Sequence, residues 1–347
     1  MKKNKVTIRN VAEEAGVSVT LVSFVMNAKQ RPDGSLDCPV NPKTAARVKE
    51  VAARLGYRKN VAAASLRSGR SNTIAVIPTD ISNKFFAGIS RCIEDKAQKD
   101  YNYTTLFASS DEDAKKLGDI LDTVNAHNID GVIVAPCEGS KEAIQKLIDY
   151  RIPTVLIDRD IEGIEGVGKV LLDDFQAGYD AAQLLISKGL KKIEMISYSL
   201  GISSFTERET GYSKAMEEAG LTGFAKIHNT TYATAATDIP QIITDAVKRG
   251  VEAFFLPTYS LSAQVMKTMK DNGYKTPDDL ALVCFDVSDI YELYETSVTH
   301  LIQPLKELGE KAVEVLGKMI EKNEPGETVI LKPEMILGGS TENIKKK

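Results

Sequence analysis

Residues 6–27 read VTIRNVAEEAGVSVTLVSFVMN, and the spacing along this stretch decides how the rest of the chain is read. Ile8, Val11, Ala12 and Ala15 fall at i, i+3, i+4 and i+7, which puts one apolar stripe on a helix capped by Thr7. Gly16 ends that helix, because a residue without a Cβ enters the left-handed conformation of a tight turn; Ser18 then caps a second helix. There Val22, Val25 and Met26 turn inward with Val17, leaving Val19, Thr20, Ser23, Phe24 and Asn27 on the opposite face. A third helix is predicted from Thr44 to Leu55, apolar at Ala45, Val48, Val51, Ala52 and Leu55 and stopped by Gly56. Three short helices of this kind form a small helix-turn-helix unit. The amphipathic pattern alone serves packing as well as it serves groove reading.

Outward from this unit the charge changes sign. Residues 1–72 hold 14 Lys/Arg against 5 Asp/Glu, a net of +9, while the remainder holds 30 against 43, a net of −13, which together give the −4 of the whole chain. A basic arm on an acidic body points to a polyanionic partner for the arm. At 347 residues the chain exceeds one ordinary domain, so at least two compact units are expected. Its first residues, MKKNKVTIRN, carry charge without the apolar stretch of a signal peptide, and no run approaches the roughly 18–20 apolar residues of a membrane span. A cytoplasmic protein without membrane contact is the expectation. Cys38, Cys92, Cys137 and Cys284 are widely spaced with no CxxC pair, which argues against a metal site and a disulfide framework. No cofactor is expected.

The stretch VTIRNVAEEAGVSVTLVSFVMN, with LGYRKN at residues 55–60, resembles the first three helices of the LacI/GalR family of transcriptional regulators, and the similarity continues to about Gly339. The resemblance implies that Val19, Thr20 and Phe24 read base edges in the major groove, and that Thr7, Ser18, Ser23 and Asn27 contact phosphate or cap helices. Tyr57, Asn60, Ala63, Leu66 and Arg67 fall at further DNA-contact positions. Two features depart from the family. Position 24 is usually Arg, which pairs with guanine, whereas Phe24 offers apolar contact, for example to a thymine methyl. Between Asn27 and Val40 lie twelve residues, AKQRPDGSLDCP, where the family has a handful; they read either as a surface insertion or as extra phosphate contacts through Lys29 and Arg31.

Asn60 to Arg70, NVAAASLRSGR, is too short to form a stable helix alone, since isolated helices below about 12–15 residues are marginal in water. The resemblance implies a hinge helix that folds on operator DNA, with Leu66 as a wedge in the minor groove and Arg67 and Arg70 on phosphate. Its local pattern fits a plain linker equally well.

From Thr73 onward short apolar strands (TIAVIP, YTTLFA, DGVIVAP, TVLID, then KKIEMIS, AKIHN, EAFFLP, LALVCFD) alternate with amphipathic helices. That alternation predicts an α/β fold of doubly wound parallel sheets, and two such halves with a cleft between them make the two-lobed periplasmic-binding-protein type I architecture, which the resemblance also implies. The expected division is a helix-turn-helix domain over 1–59, a hinge over 60–72, an effector-binding and dimerisation body over 73–342, and a basic tail over 343–347. Within the body the N-lobe is expected to cover about 73–170 plus 299–323, and the C-lobe about 171–298 plus 324–342.

Ligands of open α/β sheets bind beyond the carboxyl ends of the strands. The polar and aromatic residues there are Asp80, Ser82 and Phe86 after the first strand, Asp158 and Arg159 after TVLI, Arg208 after KKIEMIS and its loop, Thr258 and Tyr259 after EAFFLP, Asp286 after LALVCF, and Gln303 before the last long helix. Carboxylates and Arg hydrogen-bond neighbouring hydroxyls, and an aromatic face covers the apolar side of a sugar ring, so a sugar or similar polyol fits. By position these residues match the family's effector contacts. Each also has a structural reading, as a helix cap for an Asp or an ion pair for an Arg. Thr258-Tyr259 stands where the family commonly has Asn-Asp, and Val287 replaces a frequent Asp, which points to a differently shaped or more apolar ligand.

The leading expectation is a DNA-binding regulator, acting on a palindromic operator of double-stranded DNA as a homodimer under control of a small sugar-like effector. The carboxyl-terminal ILGGSTENIKKK has no apolar heptads that would make a tetramer. A sugar receptor without DNA function would share the body but need an export signal. An enzyme is disfavoured by the lack of a P-loop, GxSxG, HExxH or dinucleotide fingerprint.

Overall fold

A computed structural model of the chain describes residues 6–28, 37–58, 69–342 and 344. It divides into two compact units, residues 1–71 and 72–347, described in turn.

In the first unit α1 (Ile8–Ala15) and α2 (Val19–Asn27) are separated by Gly16 at φ +61°, and α3 (Pro42–Leu55) ends at Gly56 at φ +68°. Asn10 Oδ1 accepts from the Thr7 backbone at 2.9 Å and from the Thr7 hydroxyl at 2.7 Å, and Ser18 Oγ accepts from the Leu21 amide at 3.2 Å. The third helix starts two residues before the expected Thr44. Asn41 Oδ1 takes the Lys43 amide at 2.9 Å and Pro42 occupies the first turn, where its missing N–H is no loss. Val11, Val22, Val25 and Val48 are buried at the centre of the three helices.

The second unit begins with β1 (Thr73–Ile77), α4 (Lys84–Tyr101), β2 (Thr104–Phe107), α5 (Ala114–Ala126), β3 (Gly131–Val134), α6 (Lys141–Asp149), β4 (Thr154–Ile157) and β5 (Gly168–Leu172). It continues with α7 (Asp174–Ser187), β6 (Ile193–Tyr198), α8 (Ser203–Glu218), β7 (Lys226–Thr230), α9 (Ala235–Arg249), β8 (Ala253–Phe255), α10 (Tyr259–Asn272) and β9 (Ala281–Phe285). The last elements are α11 (Asp289–Leu293), β10 (Thr299–Ile302), α12 (Leu305–Lys322), β11 (Thr328–Leu331) and β12 (Glu334–Ile336). None of the described helices is long and apolar enough to cross a membrane.

Two six-stranded sheets result, in the orders β11-β5-β4-β3-β1-β2 and β12-β10-β9-β8-β6-β7. All neighbours are parallel except β12, which runs antiparallel to β10. Successive side chains of a strand point to opposite faces, and both faces are covered here. Ile74 and Val76 pack under α4 and α12, whereas Ala75 and Ile77 pack under α5 and α6. In the second sheet Met195 and Phe255 face α7 and α8, whereas Ile196 and Phe254 face α9 and α10.

The expected lobe edges need correction. β10 pairs with β9, so residues 299–302 belong to the C-lobe sheet; β11 pairs with β5, so residues 328–331 complete the N-lobe sheet, which also takes 171–172. The chain therefore changes lobe after β5, after β10 and after β11. Hydrogen bonding along the sheet edge places these short strands, and β5, β10, β11 and β12 have too little periodicity to stand out in sequence.

Helices α7 and α8 approach until their backbones touch. A Cβ on Gly178 would lie 2.0 Å from the Arg208 carbonyl oxygen, and one on Gly211 would lie 2.0 Å from that of Phe175. Gly211→Ala should therefore lower stability by about 1–3 kcal/mol through overpacking. Gly223→Ala, where nothing lies within 4 Å, should stay within about 0.5 kcal/mol of the parent. Urea unfolding of both variants checks this; equal midpoints would contradict the backbone contact.

Candidate functional site

In the first unit one face of α2 is left uncovered by its own core. Phe24 is 50% exposed and Val19 41%, with Thr20 exposed beside them and Ser23 half-buried. Burying a Phe ring is worth about 1.5–3 kcal/mol, which Phe24 forgoes within this unit. Asn27 Nδ2 donates to Ser23 Oγ at 3.0 Å, which ties the far end of the face together. Thr7 and Ser18 have their hydroxyls engaged in capping, and Tyr57 is half-buried against the three-helix core. Asn60, Ala63, Leu66 and Arg67 lie outside the described residues, as does most of the 28–39 loop.

In the second unit the carboxyl ends of both sheets face a common cavity of ≈ 280 Å³. Nine of the ten residues expected from strand ends line it: Asp80, Phe86, Asp158, Arg159, Arg208, Thr258, Tyr259, Asp286 and Gln303. Ser82 does not. It is exposed, and its hydroxyl donates to both Asp80 oxygens, at 2.7 and 2.9 Å, so it orients that carboxylate instead.

The two lobes supply matching floors. Asp158 follows β4 and Asp286 follows β9, and both sit at φ +69°, a left-handed conformation that Asp tolerates better than most side chains. Each backbone amide donates to the adjacent parallel strand, Asp158 to Val170 at 3.1 Å and Asp286 to Leu301 at 2.9 Å. Asp286 also accepts from Gln303 Nε2 at 2.7 Å and from the Tyr259 amide at 3.2 Å. Gln303 Oε1 is buried with no hydrogen-bond partner.

Arg208 rises from α8 into the same cavity. Its Nε donates to Asp174 at 2.7 Å, its Nη1 to the Pro257 carbonyl at 2.7 Å, and its guanidinium lies 3.8 Å over the Phe285 ring. Nη2 has no hydrogen-bond partner among the described residues. Arg159 is differently engaged. It grips Glu112 with two hydrogen bonds, 2.8 and 2.9 Å, and lies 3.3 Å from Asp158, while its buried Nε has no hydrogen-bond partner among the described residues. Thr258 caps α10 by accepting from the Leu261 amide at 3.3 Å.

Two lining residues, Glu112 and Tyr232, follow β2 and β7. Applying the strand-end rule to those edge strands would have found them. Ser204 and Phe205 enter from α8, next to Arg208, and nothing in local sequence distinguishes them. Among the described residues no group of three or more His, Cys, Asp or Glu is arranged to hold a metal ion.

Burial pushes the Asp174 carboxyl up to about 7 although Arg208 stands beside it. Complete burial also raises Asp158, against the pull of Arg159 and Arg208. The floor thus offers acceptors, unpartnered guanidinium nitrogens on Arg159 and Arg208 and aromatic walls, a set suited to a ligand with several hydroxyl groups.

Residues 7–60 match the family described as bacterial regulatory proteins, lacI family, and residues 74–332 match a periplasmic binding protein domain. Over 335 residues the chain is 30% identical to catabolite control protein A of Priestia megaterium, covering 95% of this chain and 97% of that protein. It is 29% identical over 341 residues to the HTH-type transcriptional regulator DegA of Bacillus subtilis, covering 97% of this chain and 98% of that one. The solved lac repressor dimer, bound to operator and the anti-inducer ONPF, superposes with a TM-score of 0.82 at 19% identity, over 97% of this chain and 99% of that one. At that identity the likeness speaks for the fold.

The Asp174 environment has a consequence for pH. An unfolded Asp titrates near pH 4. Between there and about 7 the folded chain holds a proton that the unfolded chain has released. This group's contribution to stability is full below about pH 4 and is lost as pH rises through about 7. The stability of the chain relative to Asp174→Asn should accordingly fall by about 1–3 kcal/mol between pH 5 and 8, measured by urea unfolding. A relative stability that grows over that range would contradict this environment for Asp174.

Proposed function

We propose, from the premise that the chain belongs to the LacI family of bacterial regulatory proteins and is a DNA-binding transcriptional regulator rather than an enzyme, that it reads a two-fold symmetric operator as a homodimer. In this reading it acts in the cytoplasm as a repressor, and a polyhydroxylated, sugar-like ligand in the cleft controls its grip on DNA.

The observation that carries the DNA-reading half is the uncovered face of α2. Val19, Thr20 and Phe24 project from one side of a capped helix whose other side is locked by Val22 and Val25. A helix fits the major groove of B-DNA, where Thr20 can give or accept a hydrogen bond and Val19 and Phe24 meet thymine methyl groups. Arg9, Arg47, Lys49 and Arg54, among others, make the unit basic, which favours phosphate contact. Asn60, Ala63, Leu66 and Arg67 are assigned to the hinge grip on the minor groove through the family resemblance. Tyr57, with Ser18, Ser23, Asn27 and Thr7, is assigned to the phosphate rim.

Self-association is supported by the free edge of the N-lobe sheet. Leu106 and Phe107 on edge strand β2 are 50% and 42% exposed, an apolar edge that a lone chain would leave in water. The ligand half rests on the paired Asp158 and Asp286, the spare nitrogen of Arg208 and the unpartnered Gln303 oxygen.

Selection from a random duplex pool at physiological salt should yield a palindromic motif. Phe24→Arg should move the preferred half-site toward guanine, with total affinity within about tenfold of the parent, because Arg pairs with guanine in the major groove. Uniform affinity across sequences would overturn specific reading, and an unchanged motif would overturn the role of Phe24. Replacing Leu106 and Phe107 together by Lys should shift sedimentation toward the monomer and weaken operator binding. A variant that sediments as the parent does would remove β2 from the interface.

A further inference from the structure

Helix α2 reads VTLVSFVMN and carries neither a charged side chain nor a Gln. For a helix that lies in the major groove this is a narrow inventory. There guanine is recognised through Arg or Lys, adenine through Asn or Gln, and cytosine through Asp or Glu. Asn27 is the one amide of the helix. It is the last residue, and its Nδ2 donates to Ser23 Oγ at 3.0 Å. Base edges are met by the first turns of such a helix, where Val19, Thr20 and Phe24 stand exposed.

The major-groove feature that apolar side chains recognise is the C5-methyl group of thymine. 5-Methylcytosine carries the same methyl on the same ring carbon. From this inventory, and resting on the reading of α2 as the groove-reading helix, we infer that the protein recognises pyrimidine C5-methyl groups. Thymine and 5-methylcytosine are then interchangeable at the positions that Val19, Thr20 and Phe24 meet, and binding responds to cytosine methylation.

Three observations carry the inference. First, Phe24 and Val19 are 50% and 41% exposed, whereas Val22 and Val25 of the same helix are 0% and 1% exposed. The two exposed side chains lack cover in their own unit, and each methyl-sized group buried against them is worth roughly fourfold in affinity.

Second, the spacing suits neighbouring bases. Thr20 and Phe24 lie one turn apart on one side of α2, with Val19 next to Thr20. Four residues rise about 6 Å along a helix, and successive base steps are about 3.4 Å apart, so the three side chains span about two steps of each half-site. Thr20 adds its own methyl group to the apolar surface.

Third, the charge around the helix selects DNA over an apolar protein partner. Residues 1–72 carry a net charge of +9, and exposed cations flank α2 from its neighbours, Arg9 on α1 and Lys43, Arg47 and Lys49 on α3. Phosphate contacts of this kind position a protein without reporting sequence. Discrimination then falls to the uncharged face of α2.

The test measures binding of the full-length chain, by fluorescence anisotropy at physiological salt, to an operator selected from random duplexes. Each thymine is replaced in both half-sites by uracil, which removes the methyl and nothing else. Each T·A pair is also replaced by C·G and by 5-methylcytosine·G. At one or two positions per half-site, uracil should weaken binding about fourfold for each methyl, or about 15-fold for the symmetric pair. 5-Methylcytosine should bind tighter than cytosine there by a similar factor. Phe24→Ala should bring the thymine-to-uracil ratio toward one at the position Phe24 meets, and Phe24→Leu should keep most of it. Uracil that binds as thymine does at every position, with the motif intact, overturns the inference and leaves the two-fold reading standing. A ratio unchanged in the Val19→Ala, Phe24→Ala double variant also overturns it, because the effect then belongs to the deformability of the duplex. Failure to select any motif overturns both.

Discussion

The approach of α7 to α8 is the constraint on which the C-lobe side of the cleft depends. Two glycines, Gly178 and Gly211, let the helices meet backbone to backbone, with no room for a methyl group at either place. That separation brings Asp174, at the start of α7, within 2.7 Å of Arg208 on α8. Burial of an Arg is tolerable only when the charge is paired and hydrogen-bonded, and Arg208 has Asp174, the Pro257 carbonyl and the face of Phe285. With three sides occupied the guanidinium cannot swing, and its remaining nitrogen has a fixed place in the cavity. The position of a cavity-lining group thus depends on two glycines that do not line the cavity.

A second constraint is the repetition of one device in both lobes. β4 and β9 are central strands, each followed at once by an Asp of left-handed conformation. The two carboxylates reach a common cavity although they are far apart in sequence. The chain changes lobe three times, so one lobe cannot move against the other without bending all three crossings together. A ligand that contacts Asp158 and Asp286 at once stabilises one arrangement of the lobes, and differential affinity of this kind is what a regulatory ligand needs. The reading helix shows the opposite strategy. Its core is small and closed, and the side chains proposed to read DNA are the ones it leaves out.

Much of this was legible in the sequence because local signals agreed with the final fold. Thr7, Gly16, Ser18 and Gly56 punctuate the first unit where caps and left-handed turns form. The strands of both sheets that are buried on two faces announce themselves as apolar runs, and nine of the ten strand-end residues expected from them line the cavity. What escaped notice depends on partners remote in sequence. β5, β10, β11 and β12 are strands because of their sheet neighbours, and so the lobe boundaries shifted. Ser82 satisfied the strand-end rule but spends its hydroxyl on Asp80, while Glu112 and Tyr232 follow edge strands. The glycine crossing was invisible, since Gly inside a helix reads as a weak point until a second helix lies across it.

We propose that the cleft ligand and the operator act on one equilibrium. Linkage then requires each to change the affinity of the other by the same factor, typically about 5- to 150-fold. The most direct measurement titrates the full-length chain with the best-binding ligand, with and without the selected operator, and titrates the operator with and without saturating ligand. The two ratios should differ from one and equal each other. Affinities for ligand that are the same with and without operator would contradict it.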